Sequence, residues 1–317
     1  MPNYTIIINP QAGSGAAKKV WPKLKTALTA AKIKFTYYFT EYSGHATILS
    51  RQLAQQLPAQ QVSEQVFMVV GGDGTVNQVL NGIHDVTPTP IPIAYFPAGS
   101  GNDFARSLHL KQKIATFIDH LIKIRQPSNL NIFAVQIKDE TGKIQQQLLI
   151  NNFGMGFDAH VVHLTEHSTL KAKLNRWHLG NLAYVINLIS VLKNQKSFAV
   201  DVQTKQEKAH FDQAYLVTLT NIAYFGGGVP IVPTADPHIE ELDLIILEKP
   251  SLIKFIGLFI LMLVNGHHLN SPAVHLFKTE QLQVSCQPAQ FGQMDGEDMG
   301  HHSFQLNATN NQYPFWI

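Results

Sequence analysis

Residues 66–77, Val66-Phe67-Met68-Val69-Val70-Gly71-Gly72-Asp73-Gly74-Thr75-Val76-Asn77, decide the fold of this chain. The apolar run at its start reads as a buried strand, and it feeds straight into a glycine-rich turn that opens a helix to about residue 83. Strand, turn and helix in that order are the unit of a parallel α/β sheet. Three glycines around one aspartate also let backbone N–H groups approach a phosphate, and the start of a helix favours the anion. The Asp73 carboxylate then stands where a divalent cation bridging phosphates would need an oxygen ligand. A tight turn whose glycines only supply positive φ would use the same residues, so the reading depends on the rest of the chain.

The same grammar repeats on both sides. Residues 4–8, 35–40 and 91–96 read as further strands. Val20, Leu24, Leu28 and Ala31 mark a first helix, whose start Pro22 places close by; Ala46, Leu49, Leu53 and Leu57 mark a second, ended by Pro58. Asn9-Pro10-Gln11-Ala12-Gly13-Ser14-Gly15 forms a second candidate phosphate cradle between strand and helix. It is not a Walker loop, and Lys18 stands where a dinucleotide fingerprint would want its third glycine, which weakens a hydride-transfer reading. Residues 97–106, Pro97-Ala98-Gly99-Ser100-Gly101-Asn102-Asp103-Phe104-Ala105-Arg106, supply another carboxylate at a turn after a strand. Such turns converge on one crevice, so Asp73 and Asp103 are expected to be neighbours.

From about residue 131 the pattern changes to strands: a hairpin over 132–138 and 147–153, then 198–204, 214–220, 242–248 and 282–286, interrupted by helical stretches at 179–192 and 253–264. The expected architecture is an α/β amino-terminal domain over 1–128, Rossmann-like and similar to phosphofructokinases and NAD kinases. It is followed by a mainly antiparallel β domain of sandwich or barrel type over 129–303. The apolar end Tyr313-Pro314-Phe315-Trp316-Ile317 suggests that 304–317 returns to the first domain.

Composition narrows the function. With 24 Lys and Arg against 22 Asp and Glu the formal charge is +2, which gives no footprint for nucleic acid. A single cysteine, Cys286, excludes a disulfide framework within the chain and a cysteine-rich zinc cluster. The start lacks a signal peptide, and the longest apolar run, residues 255–264, is half the roughly 20 residues of a spanning helix, so a cytoplasmic protein is expected. That run is apolar nearly all round, which predicts burial. The pairs His267-His268 and His301-His302 lack zinc-site spacing and are expected on loops.

The three glycine-rich segments, with Thr40-Glu41-Tyr42-Ser43-Gly44-His45-Ala46 between the first two, resemble the diacylglycerol kinase catalytic-domain family, which includes bacterial diacylglycerol kinases, sphingosine kinases and ceramide kinases. The likeness runs through Asn152-Phe153-Gly154-Met155-Gly156-Phe157-Asp158-Ala159, Gly226-Gly227-Gly228 with Pro233-Thr234-Ala235, and Met294-Asp295-Gly296-Glu297. The Gly-Gly-Asp-Gly-Thr turn alone is shared with NAD kinases and phosphofructokinases; the ordered set is more specific.

This resemblance implies a two-domain, ATP- and Mg²⁺-dependent lipid kinase with its acceptor in the interdomain cleft. It assigns Asn9, Pro10, Gln11, Ala12, Gly13, Thr40, Gly71, Gly72, Asp73, Gly74, Thr75, Val76, Asn77 and Ser100 to ATP. Of Asp295 and Glu297, one is implied as general base on the acceptor hydroxyl, while Glu297 would work with Asp73 and Asp103 on Mg²⁺ through water. Diacylglycerol is the leading acceptor, met at the membrane surface by peripheral contact; Tyr184, Ile186, Leu188, Ile189 and Leu192 beside Lys171, Lys173, Arg176 and Lys193 are one candidate face. Two features depart from the family pattern. Ser100 replaces a threonine and keeps the hydroxyl, whereas Ile239-Glu240 replaces an Asp-Gly tied to a structural metal, so no such metal is expected. The competing readings are a kinase of a soluble acceptor such as NAD and a non-catalytic nucleotide- or lipid-binding regulator. The sequence leaves the oligomeric state open.

Overall fold

Short apolar strands alternating with amphipathic helices build a parallel sheet with helices on both faces. The computed structural model describes residues 2–110, 112–138, 142, 144–167 and 190–317. Its strands β1 (Asn3–Ile8), β2 (Phe35–Phe39), β3 (Gln65–Gly71) and β4 (Ile93–Pro97) lie in the order β4-β3-β1-β2, all parallel. β3 is buried along its whole length, which is why it reads as an unbroken apolar run. On one face α1 (Ala12–Ala30) packs Trp21, Leu24 and Leu28 against Ile6, Ile8 and Met68. On the other, α2 (His45–Gln55) and α3 (Asp73–Ile83) pack Ala46, Val76 and Val79 against Ile7, Phe67 and Val69. Two further helices follow β4: α4 (Asp103–Ser107), then α5 (Ile114–Leu121), which joins α1 on its face through Phe117 and Ile118. β1 pairs with β2 on one side and β3 on the other, so the sheet reverses its winding there. A crevice opens outside the carboxyl ends of those two strands.

Pro22 does not mark the start of α1. Gly13, Ser14 and Gly15 have φ of 58°, 54° and 88°, so the regular helix follows them and Pro22 lies inside it. The carbonyl that Pro22 cannot satisfy belongs to Lys18, and both residues are exposed, which lowers the cost of the missing bond.

The rest of the chain is a layered antiparallel structure. β5 (Ser128–Lys138), β6 (Ile144–Leu149), β7 (Asn152–Gly156), β8 (Phe198–Thr204), β9 (Lys208–Thr220), β10 (Leu242–Glu248), β11 (Val274–Thr279), β12 (Gln281–Gln287), β13 (Gln290–Met294), β14 (Glu297–His302) and β15 (Gln305–Phe315) continue the same sheet. Phe133, Phe153, Phe198, Leu219, Leu244 and Phe304 fill its core. Among the described residues, the helices α6 (Phe157–His167) and α7 (Leu252–Asn265) pack on it. β5 and β15 pair antiparallel from Ser128↔Phe315 to Lys138↔Gln305 and run through both halves. Their Leu130, Ile132, Tyr313 and Phe315 belong to the core of the parallel sheet, while Phe133, Val135, Leu306 and Ala308 belong to the antiparallel core.

Two expectations need correction. His301 and His302 lie on strand β14 rather than on a loop. Residues 255–264, within α7, are not buried all round: Leu258 and Met262 face inward, but Ile260 is 54% and Val264 73% exposed. Most of the expected helix at 179–192, including Tyr184, Ile186, Leu188 and Ile189, and the basic residues Lys171, Lys173 and Arg176 lie outside the described residues.

Candidate active site

Beyond the carboxyl ends of β3 and β4, the antiparallel domain closes the far side of a cleft of about 470 Å³. Gly72, Asp73, Ser100, Asp103, Asp158, Gln293 and Asp295 are among its polar lining, and Phe157, Val161, Val162, Phe225, Val229 and Phe259 among its apolar lining. Carboxylates and an apolar wall thus share one cavity.

Asp73 occupies the first turn of α3. Its Oδ2 accepts the backbone N–H of Asp103 at 2.6 Å, and its Oδ1 lies 3.0 Å from the hydroxyl of Tyr95 on β4. The same hydroxyl is 3.1 Å from Asn102 Oδ1, which accepts the Gly99 N–H at 2.8 Å. Burial, reinforced by the Asp103 charge, pushes the Asp73 carboxyl up to about 6 despite these hydrogen bonds. Asp103 is held by Gly227, whose N–H reaches its Oδ2 at 2.8 Å, and burial raises it as well. Its Oδ1 is buried without a hydrogen-bond donor.

Asp295 and Gly296 form the two-residue turn between β13 and β14, with φ of 46° and 84°, the left-handed pair that a tight hairpin requires. The turn delivers the Asp295 carboxylate onto the backbone N–H groups of Asn151 (3.0 Å), Asn152 (2.9 Å) and Ile150 (3.1 Å) and onto the Asn77 amide (2.7 Å). Burial outweighs these donors and lifts Asp295 to about 7. Glu297 is exposed beyond the turn, 3.4 Å from Gln78 Nε2, and does not line the cleft.

The residues assigned to ATP divide into two groups. Asn9, Gln11, Thr75 and Thr40 cluster at the switch point: Asn9 Oδ1 accepts the Gln11 N–H at 3.1 Å, Asn9 Nδ2 donates to Thr75 Oγ1 at 3.2 Å, and Thr40 N–H bonds Ile8 O at 2.9 Å. Gly71, Gly72, Gly74 and Ser100 line or border the cleft, whereas Pro10 and Ala12 lead into the left-handed turn that begins at Gly13. The side chains of Val76 and Asn77 are engaged elsewhere. The Val76 side chain is fully buried in the core and its N–H bonds Gly72 O. Asn77 spends its amide hydrogens on Leu148 O and Asp295 Oδ2 and its Oδ1 on Asn81 and Gln147, tying α3 to the second domain.

The site suits a nucleotide and a divalent cation. A Cβ on Gly13 would meet Ala98 O at 2.5 Å, and one on Gly99 would meet Gly72 Cα at 2.5 Å, so only glycines allow the three turns to approach so closely. Asp103 Oδ1, which takes no hydrogen bond and has only the Arg106 guanidinium at 3.9 Å, offers an oxygen of the kind a hard cation takes.

Two family models match the chain: the diacylglycerol kinase catalytic domain over residues 3–133 and the YegS C-terminal NAD kinase beta sandwich-like domain over 152–311. The diacylglycerol kinase of Staphylococcus saprophyticus is 30% identical over 295 residues, covering 92% of this chain and 88% of its own. The chain belongs to the diacylglycerol kinase family of lipid kinases. The fold agrees with this kinase assignment. A diacylglycerol kinase structure from Bacillus anthracis superposes with a TM-score of 0.63 at 18% identity, covering 97% of this chain and 93% of that one. Yeast NADH kinase superposes with a TM-score of 0.51 at 10% identity, covering 99% and 83%. A kinase catalytic domain implies ATP and a divalent metal in general terms.

Sequence reasoning gave no role to Tyr95, Asn102, Gln293 or Asp158. Tyr95 reads as a core strand residue, and only the sheet register carries its hydroxyl to Asp73. Asp158, in the first turn of α6, is fully enclosed by Gln293 Nε2 (3.2 Å) and Thr218 Oγ1 (3.4 Å), with Oδ1 unbonded, and burial lifts it to about 7. The Gly-x-Gly before it is the one local hint, because a Cβ on Gly154 would stand 2.0 Å from its Oδ2.

These carboxylates set the pH dependence of the kinase's stability. Asp73, Asp158 and Asp295 hold protons more tightly folded than unfolded, so their contribution is complete at low pH and lost as pH rises through 6 to 7. A shift from 3.8 to about 7 corresponds to at most roughly 4 kcal/mol. Urea midpoints are expected to fall between pH 5.5 and pH 8, and Asp158→Asn should flatten that slope; an unchanged slope in the variant would show that Asp158 ionises normally.

Proposed function

We propose that the kinase transfers the γ-phosphate of ATP, with Mg²⁺, to the free hydroxyl of diacylglycerol presented at a cytoplasmic bilayer surface. The observation that carries this is the mixed lining of the cleft, where Asp73, Asp103 and Asp295 share one cavity with Phe157, Phe225 and Phe259. The same three rings also line a separate small cavity beneath α7 together with Phe255, Leu258 and Met262. Carboxylates beside aromatic and aliphatic walls suit an amphiphile with a hydroxyl head and hydrocarbon tails better than a soluble dinucleotide.

Phosphoryl transfer asks for positioning, charge neutralisation and a route for one proton. Asp73 and Asp103 would hold Mg²⁺, which neutralises charge on the transferring group. Gly72 and Gly99 keep the phosphate end accessible to backbone donors. The acceptor oxygen bonds to the γ-phosphorus as the bond to the ADP oxygen breaks, and the hydroxyl proton passes to Asp295. The ionisation of Asp295 near neutrality suits it to that task. All four of its lone-pair positions accept hydrogen bonds, so it takes the proton by releasing Asn77, its one side-chain donor.

The membrane contact falls to α7. Leu252, Ile253, Ile256, Ile260, Leu263 and Val264 are all exposed on it. Residues 249–271 contain Lys249, Lys254 and no acidic side chain. An apolar face with two lysines at its amino-terminal end fits an anionic lipid surface. Among the described residues no helix is long and apolar enough to cross a membrane. Ile253→Asp combined with Val264→Asp is expected to weaken binding to phosphatidylglycerol vesicles by at least ~10-fold, since each position forfeits the ~1.5–3 kcal/mol of a buried aliphatic side chain. Equal co-sedimentation of variant and parent would remove α7 from the contact.

The reaction is tested by incubating the purified kinase with labelled ATP, Mg²⁺ and mixed micelles of diacylglycerol, sphingosine or a polyprenol, with NAD as soluble control. Label in phosphatidic acid supports the reading, label in another lipid changes the acceptor, and label only in NAD overturns it.

A further inference from the structure

Outside the reacting cleft, α6 and β14 bring together donors of a different chemical character. His163 and His167 are one helical turn apart on α6 and therefore share a face. β14 sets Asp298 against both: its Oδ2 lies 2.7 Å from His163 Nδ1 and 3.6 Å from His167 Nδ1, and one donor atom from each of the three residues lies within 4.8 Å of the others. Asp298 Oδ1 is fixed by the Gly300 N–H at 2.9 Å, so Oδ2 is the oxygen turned to the histidines. The ring of Phe291 packs 4.4 Å from His163 and makes an apolar floor. The Asp298 side chain is 8% exposed and His167 62%, so the cluster is anchored inside and open to water on one side.

We propose that His163, His167 and Asp298 form a binding site for a first-row transition-metal ion, Zn²⁺ being the representative, that clamps α6 to the strand following the Asp295-Gly296 turn. Two imidazoles and one carboxylate with an open fourth position are a borderline-soft donor set, unlike the all-oxygen sets of Mg²⁺ and Ca²⁺. Donors about 2.0–2.1 Å from a tetrahedral Zn²⁺ stand roughly 3.3 Å apart. The separations of 2.7 Å and 3.6 Å bracket that value, so small side-chain movements complete the geometry. Binding through Nδ1 requires His163 to give up its hydrogen bond to Asp298, and His167 its 3.0 Å contact with the His163 carbonyl. The ion would also sit between two walls of the cleft. α6 supplies Phe157, Asp158 and Glu166 to the cleft, and Asp298 is three residues beyond Asp295. Metal occupancy would therefore stiffen the reacting end without contacting the acceptor. This inference does not depend on which lipid is phosphorylated.

The test uses the full chain stripped with a chelator and titrated with Zn²⁺ alone against a chromophoric competitor at pH 7.5, with His163→Ala, His167→Ala and a surface control, His238→Ala. The expected result is one tight equivalent in the parent and in His238→Ala, weakened at least ~100-fold in either α6 variant. Thermal melting in the presence of chelator checks that each variant folds. Zn²⁺ should also raise the melting temperature of the parent and leave the α6 variants unmoved. Equal affinity in the parent and the folded α6 variants, or the absence of a tight equivalent in the parent, overturns the proposal.

Discussion

Asp73→Asn is expected to lower kcat by about 10³-fold with unchanged far-UV circular dichroism. The amide is isosteric and its oxygen can still face the Asp103 N–H, so the turn after β3 retains its shape. It loses the negative charge that, with Asp103, would hold a divalent cation over the transferring phosphate, a contribution of several kcal/mol. A tenfold change in rate corresponds to about 1.4 kcal/mol, so a loss near 4 kcal/mol gives the stated factor. The effect should fall on kcat rather than on the KM for lipid, because the charge lost acts on the transferring phosphate and the apolar lining, Phe157 and Phe259 included, is unchanged. A variant with parental kcat would remove Asp73 from the reacting centre and with it the assigned orientation of the cleft.

Asp295→Asn is expected to reduce activity by at least ~10³-fold and, unlike Asp73→Asn, to destabilise the protein by roughly 2–5 kcal/mol. Three backbone N–H groups and the Asn77 amide converge on this carboxylate. An asparagine offers one oxygen and turns its NH₂ toward the remaining donors, leaving buried N–H groups without acceptors at about 1–3 kcal/mol each. Stability and activity therefore have to be read separately, with kinetics run well below the variant's melting temperature. Glu297→Gln is the control: exposed and outside the cleft lining, it should change kcat less than ~5-fold. Retained activity in folded Asp295→Asn together with a collapse in Glu297→Gln would exchange the two roles.

Local chemistry made much of the site legible. Glycines that permit close backbone approach and carboxylates at the ends of strands are readable because each needs only its neighbours to be recognised. Asp73 and Asp103 illustrate this: two turns, each after a parallel strand, had to converge, and the Asp103 N–H lies 2.6 Å from Asp73 Oδ2. Residues whose roles depend on distant partners were not readable. Asn77 is part of the same glycine-rich segment, yet its amide is directed across the domain boundary to residues 71 and 218 positions away. Tyr95 is indistinguishable from any core aromatic until the β3–β4 register places its hydroxyl over Asp73.

The sequence by itself determined the α/β start, the antiparallel continuation and the family, because apolar periodicity, turn glycines and ordered motifs are properties of short stretches of chain. Tertiary structure alone decided which of Asp295 and Glu297 faces the cleft, that β5 and β15 weld the two halves into one sheet, and that α7 shows an apolar face to solvent. An all-apolar helix specifies how much of its surface avoids water, but what covers each side is set by packing against elements far away in sequence. α7 has the core beneath Leu258 and Met262 and nothing among the described residues covering Ile253 and Val264.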